Sequence, residues 1–372
     1  MQNVLITGSN GFIGKNLNMA LKERNFSVLT FTREDDINVL TEKVIAADII
    51  YHLAGINRPL TDDEFVCGNT NLTETLVKII VERNPNVPLI YASSKQAEKD
   101  NAYGKSKLNA EKIIQNAVEK SNINASIYRL NGVFGKWCRP NYNSVVATFC
   151  YNVINDIPLI IDDPLFNLEI IYIDDVIDAF VGHLHNKKSN DIFYDIPIKY
   201  KISIQKLADK IIGFKSSRNN LTIDSVGKGI TRALYATYLS YLPPEKFSYT
   251  VPIYEDLRGS FAELLKTSAY GQFSFFTAKP GIIRGGHYHH TKNEKFIVVS
   301  GRALFRFEHI ITHEVIEFEK NSSNIEIVET IPGWAHNIKN IGSNELIVML
   351  WANEVFDRNK PDTIAWDILY EK

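Results

Sequence analysis

Three cysteines in 372 residues, with no C-x-x-C spacing, leave neither a disulfide framework nor a thiolate zinc site. Cys67, Cys138 and Cys150 are an odd number that fits a reducing compartment, and the cytoplasm is the expected location. No apolar run approaches the roughly 18 residues that a spanning helix needs, so membrane insertion is not expected. The first apolar run, Val4-Leu5-Ile6, has no basic stretch before it and reads as a buried strand, not a secretion signal. An excess of basic charge is also lacking. Lys and Arg number 41 against 43 Asp and Glu, a formal charge of −2, and nothing global argues for a nucleic-acid partner. There is no internal repeat and no low-complexity tract. What remains is an ordinary globular composition, 45% hydrophobic and 23% charged, in a chain long enough for two domains.

The first half alternates short apolar runs with helical patterns. Strands are expected at 4–7, 27–31, 48–53, 89–92 and 126–130, and helices at 13–24 and 103–119. This is the βαβ rhythm of a doubly wound parallel sheet with about six or more strands. After about Tyr249 the pattern changes to short runs at 272–277, 295–299, 303–307, 325–328 and 346–351, separated by Gly, Pro and Asn turns, which suggests a sandwich or barrel. Pro243-Pro244 blocks helix continuation and predicts an extended connector. The expected domains are therefore 1–243, of α/β class, and 244–372, all β.

Gly8-Ser9-Asn10-Gly11-Phe12-Ile13-Gly14 directly follows the first strand and opens the first helix. Glycines there permit a tight turn and close approach of backbone N–H groups to a pyrophosphate at a helix N-terminus, so this Rossmann-type segment is expected to bind a dinucleotide. Arg33 stands after the second strand, where a free ribose hydroxyl would usually meet a carboxylate. A guanidinium there suits a 2′-phosphate and predicts NADPH; otherwise Arg33 is a solvated surface residue. Tyr103 and Lys107 are four apart on one helix face. A neighbouring ammonium is expected to lower the phenol's pKa so that it can exchange a proton with an alcohol or ketone. Ser93 and Ser94, just after a strand, can donate a hydroxyl to the same oxygen.

Together with His52-Leu53-Ala54-Gly55, Arg129-Leu130-Asn131-Gly132 and Tyr172-Ile173-Asp174-Asp175, these motifs resemble the extended short-chain dehydrogenase/reductase family over roughly residues 1–240. The resemblance implies a nucleotide-activated sugar as substrate. It also implies a catalytic triad of Ser94, Tyr103 and Lys107, with Ser93 an alternative. Asp36 and Ile37 would contact the adenine, and Leu53, Ala54 and Gly55 would line the cofactor, which Tyr103 and Lys107 also touch.

Four of nine histidines fall in one constellation downstream. His287 and His289 are two apart and can share one face of a strand, with His290 facing away unless a bulge turns it. Glu294 follows closely and His336 lies further on. Three imidazoles and a carboxylate suit a divalent metal, with zinc expected and iron, nickel or manganese compatible with the ligand types. This pattern resembles the cupin superfamily over about residues 245–372, which implies a jelly-roll β-barrel. One departure is Pro332-Gly333, adjacent where the second motif usually has a residue between.

Asp256-Leu257-Arg258-Gly259 and Arg284-Gly285-Gly286-His287 are similar to the dTDP-4-keto-6-deoxysugar 3,5-epimerases, whose corresponding histidine removes a proton beside a ketone. His287 is thus read as a ligand by one likeness and as a base by the other, with His290 the substitute ligand in the second case. The domain order resembles the bifunctional capsular polysaccharide synthesis enzymes that epimerise C3 of a UDP-2-acetamido-2,6-dideoxy-4-hexulose and reduce C4, giving UDP-N-acetyl-L-talosamine. The alternative is a reductase alone, with the cupin half a structural, dimerising or sensing module. Lys95-Gln96-Ala97 after Ser94 disfavours a dehydratase, which usually has acidic residues there. Barrels of this kind commonly pair, so a homodimer is expected, with Trp351, Phe356, Trp366 and Tyr370 either at its interface or filling the barrel's own core.

Overall fold

Val4, Leu5 and Ile6 have no accessible surface, because the strand that they form is covered on both faces. In the computed structural model, which describes residues 2–59, 61–184, 191–267, 269–359 and 361–368, that strand is β1 (Asn3–Thr7). It pairs in parallel with β2 (Ser27–Phe31) and β3 (Ile49–His52), and the sheet continues through β4 (Leu89–Ser94), β5 (Ala125–Leu130) and the short β8 (Phe193–Tyr194). The six strands and their order reproduce the expected doubly wound parallel sheet. A small second sheet holds β6 (Gly132–Phe134), β7 (Asn167–Tyr172) and β9 (Tyr200–Ser203).

The helices of this region are α1 (Phe12–Glu23), α2 (Ile37–Ala46), α3 (Asp62–Phe65), α4 (Leu72–Arg83), α5 (Ala102–Ser121), α6 (Val145–Ile154), α7 (Ile173–His183), α8 (Ile204–Asn220) and α9 (Gly229–Leu239). A π-helical turn, Val66–Asn71, joins α3 to α4. The buried stripe of α5 runs through Gly104, Lys107, Glu111, Ile114 and Ala117, so the helix places a lysine and a glutamate on its core face.

The chain divides into two compact units, Met1–Ile211 with Ala233–Leu242, and Ile212–Arg232 with Pro243–Lys372. The division passes through α8 and α9, so residues 212–232 pack with the second unit although they precede the prolines. Pro243 is extended, but Pro244 opens a single 3-10 turn, Pro244–Lys246, where an extended connector was expected. Proline at the first position of such a turn loses no hydrogen bond, because that N–H would be unpaired anyway.

The second unit is all β apart from the helical ends that it receives. One sheet holds β10 (Thr222–Ile223), β11 (Tyr254–Asp256), β12 (Gly259–Thr267), β13 (Gly271–Ala278), β15 (Glu294–Ser300), β18 (Ile327–Glu329) and β20 (Leu346–Ala352). The other holds β14 (Ile283–Tyr288), β16 (Arg302–His309), β17 (Val315–Asn321), β19 (Trp334–Asn340) and β21 (Ile364–Ala365). Phe276, Phe296, Val348 and Leu350 of the first meet Phe305, Phe307 and Ile338 of the second in one core. Strand expectations at 272–277, 295–299, 303–307 and 346–351 fall inside observed strands. The strand β17 escapes the sequence reading because it is an exposed edge with no long apolar run.

Candidate active site and histidine cluster

The turn between β1 and α1 is closed by Gly11 N–H donating to the Gly8 carbonyl at 2.9 Å. A Cβ on Gly14 would stand 2.3 Å from that same carbonyl oxygen, so the helix start can pack against the turn only with glycine there. Gly8 has φ +72°, and α1 begins after Gly11 with no side-chain cap. The first-turn N–H groups therefore face outward beside exposed Asn10 and half-buried Phe12 and Ile13, an arrangement that fits a pyrophosphate. Leu53 and Ala54 are tied to the end of β1 through Leu53 N–H to Thr7 O at 3.2 Å and Ala54 N–H to Thr7 Oγ1 at 3.3 Å. Gly55 follows, exposed. Arg33 is exposed just past β2, Asp36 caps α2 through Asn38 N–H at 2.8 Å, and Ile37 is exposed beside it. These positions leave room for a dinucleotide along the ends of β1, β2 and β3.

Ser94, Tyr103 and Lys107 converge at the end of β4 and the start of α5. Ser94 lies close enough to the Tyr103 phenol to lower its pKa, whereas Ser93 donates to Glu111 at 2.5 Å. The geometry therefore separates the two serines that the sequence left open. Glu111, fully buried, is gripped by Arg129 at 2.6 Å. Asn101 caps α5 through Gly104 N–H at 2.8 Å, and a Cβ on Gly104 would lie 2.2 Å from the Gln96 carbonyl. That close approach seats Tyr103 against the turn that carries Ser94.

The Lys107 ammonium donates to Ala92 O at 2.9 Å and Tyr91 Oη at 3.2 Å. Burial pulls its pKa down to about 8. The expected lowering of the Tyr103 pKa by Lys107 is not what the structure gives. Burial raises the phenol's pKa, the Ser94 bond lowers it in part, and Tyr142 adds to the rise. The physical reason is that the ammonium is engaged with Tyr91 and Ala92, while burial acts on the phenol.

A cavity of about 460 Å³ is lined by Arg58, Asn141, Tyr142, Asn143, Ser144, Val145 and Thr148, and its Tyr142 is the one that bears on the Tyr103 phenol. The Arg58 and Arg139 guanidinium carbons lie 5.8 and 5.4 Å from the Tyr142 ring centroid. None of these residues carries a motif, and sequence reading passes them over.

In the second unit, His287 on β14 pairs with His336 on β19, after a register slip between Gly285 and His287. His289 follows β14, and Glu294 begins β15 in the facing sheet. One ligand atom from each of the four lies within 4.8 Å of the others, the scale of one coordination shell with bonds of about 2.0–2.2 Å. Glu294 Oε2 is 3.3 Å from His289 Nε2 and 3.4 Å from His336 Nε2. Burial pushes the Glu294 carboxyl up, but those bonds and Lys292 outweigh it and hold it ionised. Burial lowers His287 to about 3, with His336 and His289 adding to the effect, so its ring is neutral. Neutral imidazoles and an ionised carboxylate are the donor set that a divalent metal requires, and the residues fit one. The adjacent Pro332-Gly333 does not move His336 out of the cluster. His290 is exposed and lies outside it.

Asp362, which no motif marks, holds this loop together. Its carboxylate accepts N–H bonds from His290, Thr291 and Lys292 at 2.9, 2.7 and 2.8 Å, and its carbonyl takes His289 Nδ1 at 2.5 Å. The last contact fixes the tautomer that presents Nε2 to the cluster. Lys292 contacts the second Glu294 oxygen at 3.3 Å. A cavity of about 670 Å³ opens beside the cluster, lined among others by Tyr254, Phe261, Glu263, His287, Lys292 and Arg358. Arg258 and Arg284 of the epimerase-like motifs turn elsewhere, Arg258 to Asp256 at 2.5 Å and Arg284 to Thr277 O at 2.8 Å. Of the aromatic end, Trp351 donates to Tyr270 O at 2.8 Å, Phe356 lines the cavity and Trp366 meets Tyr288 edge-on; Tyr370 lies outside the described residues.

No described helix is long and apolar enough to cross a membrane. Residues 4–196 match the NAD dependent epimerase/dehydratase family, and residues 254–364 match the polysaccharide biosynthesis C-terminal domain. The chain is 50% identical over 366 residues, 98% of each chain, to the UDP-2-acetamido-2,6-beta-L-arabino-hexul-4-ose reductase of Pseudomonas aeruginosa. It superposes on the capsular polysaccharide assembling protein CapF of Staphylococcus aureus with a TM-score of 0.91 and 37% identity, covering 99% of this chain and 100% of that one. A UDP-glucuronic acid 4-epimerase of Bacillus cereus, 19% identical with a TM-score of 0.55 over 64% of this chain and 96% of that one, shares the fold. This chain belongs to the NAD dependent epimerase/dehydratase family, with the polysaccharide biosynthesis C-terminal domain as its second part.

Proposed function

We propose that the chain is a bifunctional sugar-nucleotide enzyme of capsular polysaccharide precursor synthesis. Residues 244–372, as a cupin-type jelly roll, epimerise C3 of a UDP-2-acetamido-2,6-dideoxy-4-hexulose. Residues 1–243 then reduce C4 with NADPH to give UDP-N-acetyl-L-talosamine. The observation that carries the reading is the Ser94–Tyr103 hydroxyl pair backed by Lys107, in a chain half identical over its length to a UDP-sugar 4-ketone reductase.

In the reductase half, Ser94 and Tyr103 donate hydrogen bonds to the C4 carbonyl oxygen, and Tyr103 gives up its proton as the alkoxide forms. A raised phenol pKa suits that direction, since the group must hold its proton until charge develops. Bound NADPH supplies the hydride. Arg33 meets the 2′-phosphate, the Gly8–Gly14 turn holds the pyrophosphate, and Lys107 holds the nicotinamide ribose. Arg58, Asn143 and Ser144, polar groups around the cavity that Tyr142 lines, suit a diphosphate.

In the second half, His287, His289, Glu294 and His336 would hold a divalent metal such as zinc, which polarises the C4 carbonyl and acidifies the C3 proton. With His287 committed as a ligand, Glu263 and Tyr254 on the cavity wall are the groups left to take and return that proton. Reduction at C4 afterwards removes the ketone on which reverse epimerisation depends. The working form is a homodimer through the second unit, which sedimentation at micromolar concentration reads directly.

The test uses the full-length protein and the UDP-linked 4-keto sugar in deuterated water. Without nicotinamide, deuterium should enter at C3; with NADPH, cofactor consumption should follow and yield the C4 alcohol. Reduction with no C3 exchange would leave a reductase with a structural second domain, and no reduction would overturn the reading.

A further inference from the structure

The geometry points to Tyr91 as a positioning residue of the reductase site, holding the buried Lys107 ammonium through its phenol oxygen, on a ring seated against a buried hydrogen-bond chain. The inference rests on the reductase reading above. Tyr91, Thr73, His52 and Thr7 are at most 1% exposed, and none of them was marked by a catalytic motif.

The chain is decided at Thr73. Its Oγ1 gives its single hydrogen to the Asn69 carbonyl at 2.6 Å, so toward every other neighbour it can only accept. His52 Nε2, 2.9 Å away, must therefore carry the ring proton, and Nδ1 must accept from Thr7 Oγ1 at 2.7 Å. An ammonium can only donate, so the Tyr91 phenol oxygen, 3.2 Å away, must accept from Lys107. The phenol is held in place by stacking on His52, ring centroids 5.3 Å apart. The Thr7–His52–Thr73 chain ends at the Asn69 carbonyl, which cannot pass a proton onward, so it fixes the ring on which the phenol stacks and is not a relay. An ammonium at 5% exposure depends on such acceptors to stay charged near neutral pH.

Tyr91→Phe keeps the ring and removes only the acceptor. Losing an acceptor for the charged form lowers the Lys107 pKa. The alkaline fall of kcat for ketone reduction should move about one pH unit lower, on the scale of a hydrogen bond to a charged group. At pH 7.5 kcat should drop roughly threefold with KM for the sugar nucleotide unchanged. Lysine ¹³Cε NMR titration of the full chain reads the Lys107 pKa without any turnover. A downward shift there in Tyr91→Phe supports the inference. A wild-type Lys107 titration and pH profile in Tyr91→Phe, or a loss of melting temperature alone, overturns it. A wild type that reduces nothing yet shows the NMR shift overturns the reductase reading and keeps Tyr91 as the holder of Lys107.

Discussion

Ser93 Oγ lies 2.5 Å from Glu111 Oε1, and that bond turns it away from the phenol that its neighbour Ser94 meets. The two serines should therefore fail differently when truncated. Ser94→Ala should cut kcat for ketone reduction by about 10²-fold, the scale of one lost carbonyl donor, with little change in melting temperature. Ser93→Ala should leave kcat nearly intact and cost about 1–3 kcal/mol of stability, because buried Glu111 loses a donor. Denaturant unfolding and steady-state kinetics on both variants separate these outcomes.

Tyr103→Phe should lower reduction by about 10²–10⁴-fold, the range for a positioned proton donor. Deuterium uptake at C3 should continue at the wild-type rate, since that chemistry belongs to the other active site. Loss of both activities together would contradict two separate sites.

The cofactor preference rests on Arg33, exposed at the end of β2. Arg33→Ala should raise KM for NADPH about tenfold, near 1.4 kcal/mol, and leave KM for NADH unchanged. Equal efficiency with both dinucleotides in the wild type would sink the assignment.

Metal analysis should find less bound ion in His287→Ala, His289→Ala and His336→Ala. Full occupancy in His287→Ala would return that residue to the role of base. Asp362→Ala, which frees the backbone of 290–292, should weaken metal affinity about tenfold, since partners that orient a ligand typically matter by 10–100-fold.

His52 makes the first unit sensitive to acid. Burial drives its pKa from the usual 6.5 to about 3. Above 6.5 neither state is protonated; below it the unfolded chain takes up a proton that the folded one refuses, so stability falls as pH drops toward 3. At pH 5 the loss from this group is about 2 kcal/mol, read as a lower melting temperature at pH 5 than at pH 7 that His52→Gln diminishes.

Most of this was legible where chemistry and periodicity coincide. The glycine turn, the Tyr103 and Lys107 pair and the four metal-type donors each announce themselves by spacing, because a turn, a helix face and a strand face impose fixed intervals. Asp362 and Tyr91 were not legible. Asp362 acts across 70 residues through its backbone carbonyl and through N–H groups, which no residue type encodes. Tyr91 looks like any apolar position of a buried strand, and its contacts come from Lys107 and His52 on other elements.

The strand Thr222–Ile223 lies along Lys266 and Thr267 of β12, and Leu221 O accepts the Lys266 N–H. β11 covers the same edge of β12 at its other end, through residues 259–261. A fragment that begins at the prolines would strip one of these two covers and bare peptide groups able to recruit another chain. The second unit, if produced alone, should stay dispersed when it starts near residue 212 and tend to precipitate when it starts near 244, so light scattering of the two fragments would show that the physical seam lies upstream of the visible one.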